Sequence, residues 1–270
     1  IILWVRKNNC ILFKLFKVTR NLNFKEFGSG KQIIILHGLL GSLDNWVSIA
    51  LKLSQNYKVT ILDLPNHGRS YHSNTFSYYD MATSLNEFIK TKNINEPTII
   101  GHSMGGKLAL QYVELFPKIV SSLIIVDVCN RVYDTTRFNH VFEAIKKISS
   151  ENVQSRKQAS ELIKEIVNSE GERNFILKNL KRDENGFSWT PNVNLLMNSI
   201  SEISAAVEIK NIDIKTLFIK GQKSSYILDT DVAELKKTFS NFGIIEIPNA
   251  GHWVHAENPS HFVTSIKDWI

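Results

Sequence analysis

Residues 98–107 read Thr98-Ile99-Ile100-Gly101-His102-Ser103-Met104-Gly105-Gly106-Lys107. The first three are a short β-branched run of the kind that forms a buried strand. From Lys107 to Phe116 the apolar residues return at helical spacing, until Pro117 stops the helix. A serine at that junction sits on a sharp strand-to-helix turn, where glycines two residues before and two after let the backbone pack closely. The Ser103 hydroxyl is therefore expected above the carboxyl edge of a sheet. The helix that starts beside it aims N–H groups and a positive dipole end at any oxyanion formed there. The bland alternative is a glycine-rich turn with an incidental serine, and the strand and helix on either side argue against it.

Working outward, short apolar runs alternate with helical periodicity, which predicts an α/β fold with a mostly parallel sheet flanked by crossover helices. The expected strands are 33–37, 58–63, 98–102, 122–127, 215–220 and 243–247. The expected helices are 44–54, 78–92, 104–116, 231–240 and 259–269, with Asp231 and Glu234 as a capping box. Between 130 and 210 the alternation fails. Phe138, Val141, Phe142, Ile145 and Ile148 repeat at helical spacing, as do Leu162, Ile163, Ile166 and Val167, so this segment reads as a helical cap inserted into the sheet domain. One domain is expected, with 1–129 and 211–270 as the core and 130–210 as the cap. Asn185-Gly186 reads as a turn within the cap, with Phe187 and Trp189 facing the core or the cap's underside.

A serine hydroxyl is a poor nucleophile until a base takes its proton. Gly251-His252-Trp253 lies between the last strand and the final helix, where a loop can reach back over Ser103, so His252 is the expected base. His37 and His67 read as turn residues, His255 as support for the loop, and His72, His140 and His261 as surface or cap residues. The carboxylate that fixes the histidine tautomer is ambiguous. After the strand 215–220 comes Gly221-Gln222-Lys223-Ser224-Ser225, with serine where an aspartate is often found. Asp127 ends a strand at the carboxyl edge, where open α/β sheets build their sites, and keeps the order Ser, Asp, His. Asp229 is the second candidate and a purely structural Asp127 the third. An oxyanion hole is expected from the amides of Met104 and Leu39, with Leu40 as a weaker donor. Leu40, His102, Trp189 and Trp253 are assigned to the substrate pocket.

The formal net charge is +6, but the lysines are scattered among Ile and Asn residues and do not mark out a basic groove, so no nucleic-acid partner is expected. The two cysteines, Cys10 and Cys129, have neither disulfide-framework nor metal-ligand spacing, so no metal site is expected and a reducing, cytoplasmic setting is the simplest expectation. The first 25 residues are basic and resemble a transit peptide in charge, yet Lys14 and Lys17 interrupt the apolar runs, and 10–18 reads as an outer strand. The same interruptions argue against a membrane span, which needs about 20 apolar residues.

Four strings carry a family resemblance. They are His37-Gly38-Leu39-Leu40-Gly41-Ser42-Leu43-Asp44-Asn45-Trp46, Asn66-His67-Gly68-Arg69-Ser70, Gly101 to Lys107, and Gly251-His252-Trp253-Val254-His255-Ala256-Glu257-Asn258-Pro259. In these the chain resembles the YbfF-type esterases of the α/β-hydrolase superfamily over nearly its whole length, and the last string and Gly106-Lys107 are specific to that branch. The resemblance implies hydrolysis of esters, and of acyl-CoA thioesters, under a helical cap, with the acid after the strand that follows the nucleophile helix, which matches Asp127. Cys129-Asn130 and the weakly similar cap depart from the pattern. The expected partner is a small acyl ester or thioester of short to medium chain, with no cofactor, in a monomer or homodimer. Two alternatives are carried: a lyase of menaquinone synthesis, which has a similar elbow and the same cap plan and uses the triad as a base, and a non-catalytic scaffold on the same fold. A carboxylate nucleophile, as in dehalogenases and epoxide hydrolases, is excluded by Ser103.

Overall fold

The computed structural model describes residues 21–184 and 186–270, together with the strands Ile2–Lys7 (β1) and Cys10–Leu15 (β2). Seven further strands build the main sheet: Phe24–Phe27 (β3), Gln32–Leu36 (β4), Lys58–Leu62 (β5), Thr98–His102 (β6), Ser122–Val126 (β7), and, after an excursion containing Leu180–Asp183 (β8) and Gly186–Trp189 (β9), Lys215–Gly221 (β10) and Phe242–Ile247 (β11). Their order across the sheet is β11-β10-β7-β6-β4-β5-β3, and only β3 runs antiparallel to its neighbour.

The inner strands β4, β5, β6, β7 and β10 carry largely unbroken apolar runs because both of their faces are covered, and alternate residues feed two separate cores. Ile34, Leu36, Ile99, Leu123, Ile125 and Phe218 point to one side, against the helices Tyr78–Thr91 and Met104–Leu115. Ile33, Ile35, Val59, Ile61, Ile100, Ile124, Val126, Leu217 and Ile219 point to the other, against the helices Val47–Leu53 and Pro259–Trp269. A one-residue slip of any strand would exchange its two sets of side chains, so register is fixed by packing from both sides. The consequence for function is that the carboxyl ends of β4, β6, β7 and β10 all open on the same rim.

Two expectations need correction at the edges of the sheet. The outer strand is β3, not 10–18. The residues of β2 pair antiparallel with β1 in a separate ribbon, and 16–18 lie outside the described residues. In the second case, the helix near Asp231 begins earlier, at Asp229, so Asp231 is its third residue and accepts the Leu228 amide at 2.8 Å. The charge at the first turn is what the sequence signalled, and the cap residue itself is the apolar Leu228.

Between β7 and β10 the chain leaves the sheet. The helix Asn139–Ser149 buries Val141, Phe142, Ala144, Ile145 and Ile148, as its spacing predicted. The second periodic run is only half helix: Arg156–Leu162 ends before Ile163, and Ile163 to Val167 form a turn closed by the Val167 amide on the Ile163 carbonyl at 2.9 Å. The segment is also not wholly helical, because β8 and β9 pair antiparallel as a hairpin. Of the expected turn there, Gly186 has φ +120°, and Asn185 lies outside the described residues. Several hydrogen bonds fasten this segment to the sheet domain, two ties among them. Lys107 Nζ, buried on the helix Met104–Leu115, donates to the carbonyls of Ser204, at 2.9 Å, and Ala205, and the Asn192 amide donates to the Asn66 carbonyl at 2.9 Å. Among the described residues, no helix is long and apolar enough to cross a membrane.

Candidate active site

At the end of β6 the backbone turns so sharply that Ser103 takes φ +52° and ψ −118°, a conformation that L residues rarely adopt and that costs about 1–3 kcal/mol. The glycines permit it. A Cβ on Gly101 would stand 2.3 Å from the Gly105 carbonyl oxygen, and one on Gly105 would stand 2.4 Å from the Leu36 carbonyl oxygen. The Ser103 amide is held by the Val126 carbonyl at 3.0 Å, and Met104 opens the nucleophile helix directly behind it. Ser103 lines a cavity of about 810 Å³ at the sheet's carboxyl rim.

His252 lines the same cavity. Its Nδ1–H donates to Asp127 Oδ2 at 2.8 Å, which leaves Nε2 as the free acceptor of the ring. Its ring lies flat on Tyr226, with centroids 3.7 Å apart and planes inclined by 14°. Tyr226 is fixed in turn, since its carbonyl accepts from the Tyr133 hydroxyl at 2.9 Å and from Arg131 at 3.3 Å. Asp127 is completely buried at the end of β7, with φ +50°. Its carboxylate accepts from the Gly221 amide at 3.1 Å and from the Ser224 hydroxyl as well as from His252. Three donors therefore converge on this buried carboxylate. Asp229 is placed differently: its side chain is 99% exposed and faces Lys220 at 3.7 Å, so it is not brought to His252.

The turn after β4 approaches from the other side, closed by the Gly41 amide on the Gly38 carbonyl at 3.0 Å. Leu39 and Leu40 both line the cavity. The Leu40 amide is engaged by His67 Nε2 at 3.1 Å, which removes it from the candidate oxyanion donors and leaves Leu39 in that place. Burial drives His67 down to about 3 and His37 to about 4, so both rings stay neutral. Each donates through Nδ1, His67 to the Pro65 carbonyl at 3.0 Å and His37 to the Gly38 carbonyl at 2.8 Å, and each accepts an amide at Nε2. The histidines read as turn residues thus serve as acceptors that peg one turn to another.

The four residues assigned to the substrate pocket divide. Leu40, His102 and Trp253 line the cavity, although the His102 ring is committed to the His252 carbonyl at 2.8 Å. Trp189 is a correction: it is not among the lining residues, because the β9 hairpin turns its indole to the Ser149 hydroxyl at 2.9 Å. Sequence reading missed Tyr226 and, within the segment above the sheet, Arg137 and the pair His140–Glu172, 2.9 Å apart at the cavity wall. Ser224 did leave a signal, as the serine standing where an aspartate was sought. Among the described residues no three His, Cys, Asp or Glu side chains come together as a metal-binding group.

Residues 31–259 match the family described as alpha/beta hydrolase fold. The chain is 32% identical over 238 residues to "Esterase YbfF" of Escherichia coli, covering 88% of this chain and 92% of the relative. It is 34% identical over 261 residues to "sn-1-specific diacylglycerol lipase ABHD11" of Danio rerio, covering 93% and 82%. A solved structure described as "Marine microorganism esterase" superposes with a TM-score of 0.89 at 37% identity, covering 93% of this chain and all of that one. The chain belongs to the α/β-hydrolase-fold family and is a carboxylic ester hydrolase of the esterase/lipase kind.

Proposed function

We propose that the protein hydrolyses carboxylic esters and thioesters through an acyl-enzyme on Ser103. His252 Nε2 takes the hydroxyl proton as the oxygen attacks the acyl carbonyl, and Asp127 holds the tautomer and stabilises the imidazolium. The amides of Leu39 and Met104 receive the oxyanion. His252 then returns the proton to the leaving alcohol or thiol, and water, activated by the same ring, releases the acid. The observation that carries this reading is the 2.8 Å bond between His252 and the buried Asp127, in a ring that shares its cavity with Ser103.

The cavity supports an acyl chain longer than acetyl. Its volume of about 810 Å³ lies in the upper range for sites that enclose a drug-sized ligand, and Leu39, Leu40, Phe138, Val141, Phe175 and Trp253 line it with apolar surface. A cytoplasmic setting fits the buried free thiol of Cys129. The test is a panel of p-nitrophenyl esters from acetate to octanoate, acyl-CoAs of the same lengths and a diacylglycerol. The reading expects burst kinetics on the nitrophenyl esters, with a kcat/KM that rises beyond acetate. A protein that leaves all of them intact is a lyase or a scaffold, and the proposal falls.

A further inference from the structure

We infer that Asn179, in the segment above the site, is a positioning residue that holds the oxyanion turn in its working shape; this rests on Leu39 being an oxyanion donor. The turn Gly38 to Gly41 carries Leu40 at its third position with φ +56°, where a type II turn asks for glycine. A leucine in the left-handed region costs about 1–2 kcal/mol, and the type I alternative, with negative φ at that residue, is free of that cost. Left to itself the turn would relax by rotating the Leu39–Leu40 peptide. That rotation would disturb the amide next to it, on which the oxyanion depends.

Two buried side chains hold Leu40 from either side. His67 Nε2 accepts the N–H of the peptide that would rotate, and Asn179 Nδ2 donates to the Leu40 carbonyl, on the next peptide, at 2.7 Å across 139 positions of sequence, so that Leu40 is pinned at both of its peptides. Asn179 is itself immobilised: its main-chain carbonyl accepts from both the amide and the hydroxyl of Thr190, each at 2.8 Å, and its side chain is buried. The bond therefore grips Leu40 from a rigid support. It is also separable from the docking of the segment as a whole, which the Asn192 and Lys107 ties secure independently. Asn179 thus links the upper segment to the oxyanion turn.

The experiment compares Asn179→Leu and Asn179→Ala with the wild type on p-nitrophenyl butyrate, and measures inhibition by an alkyl trifluoromethyl ketone, which forms a tetrahedral adduct on the serine. Oxyanion donors act within a few tenths of an ångström, so the expected loss in kcat is about tenfold. KM stays within about twofold, and the ketone binds about tenfold more weakly. An unchanged kcat overturns the inference, as does a rise in KM alone with undiminished ketone affinity. Failure of both variants to fold also overturns it, by making the bond a general structural one. A wild type inert toward the ester would instead overturn the oxyanion assignment, and the inference with it.

Discussion

His102, the residue before the elbow serine, donates from Nε2 to the main-chain carbonyl of His252 at 2.8 Å. The loop carrying the proposed base is thus tied to the strand carrying the proposed nucleophile, and the two rings stand 4.7 Å apart. Burial, with His252 beside it, pushes His102 well below the ordinary histidine range, so the ring remains a neutral donor rather than a competing base. His102→Leu removes the tie and is expected to lower kcat about tenfold, a loss of roughly 1.4 kcal/mol. His102→Gln, with an amide N–H in reach of the same carbonyl, is expected to keep most of the activity. Equal loss in both variants would show that the bond is immaterial and the ring's shape is what counts.

Asp127, bonded to His252, is the proposed acid, and Asp229, exposed beside Lys220, is the alternative it displaces. Asp127→Asn is expected to lower kcat by about 10³–10⁴, because the asparagine favours the wrong histidine tautomer. Asp229→Asn changes it less than about twofold. Ser224→Ala, which removes one of the three donors to Asp127, is expected to cost about 1 kcal/mol of transition-state stabilisation, roughly fivefold in kcat/KM. The reverse ranking of the two aspartates in steady-state assays would overturn the acid assignment.

At the elbow the backbone leaves no room for a methyl group. Gly105→Ala places a carbon 2.4 Å from the Leu36 carbonyl oxygen, which belongs to a central strand and has nowhere to go. The expected outcome is loss of stability by at least about 3 kcal/mol, or failure to accumulate as folded protein. A thermal melt indistinguishable from wild type would mean that β4 and the nucleophile helix are not packed as described.

Acid should destabilise the fold through its buried histidines. His37, His67 and His255 resist protonation down to about 4, about 3 and about 3, because burial disfavours the charged ring. In the unfolded chain each takes up a proton near 6.5. The unfolded state then binds more protons than the native one below 6.5, so stability is full above that pH and is lost as pH falls toward 4. Each ring contributes on the order of 2 kcal/mol to the loss at pH 5. Urea midpoints at pH 7.5 and pH 5 measure it, and equal midpoints would contradict the neutral, buried assignment.

Much of this was legible from local pattern. Strands such as 98–102 and 215–220 could be read because buried parallel strands need unbroken apolar runs, and the elbow because only small residues fit its turn. Reading failed where long-range pairing decides. β3 has no continuous apolar run, since Lys25 and Glu26 in its middle are exposed, and in the β8–β9 hairpin Lys181, Arg182, Asp183 and Ser188 are exposed. Trp189 reads as a pocket residue because it is large and apolar, and the hairpin register that turns it to Ser149 leaves no trace in composition. Tyr226 and Asn179 act through ring stacking and a 139-residue contact, neither of which has a periodic signature.

The most direct measurement is mass spectrometry of the protein after treatment with a fluorophosphonate. At neutral pH one adduct is expected, on the peptide containing Ser103, together with complete loss of both labelling and ester hydrolysis in Ser103→Ala. An adduct on another residue, or esterase activity that survives Ser103→Ala, would contradict the account.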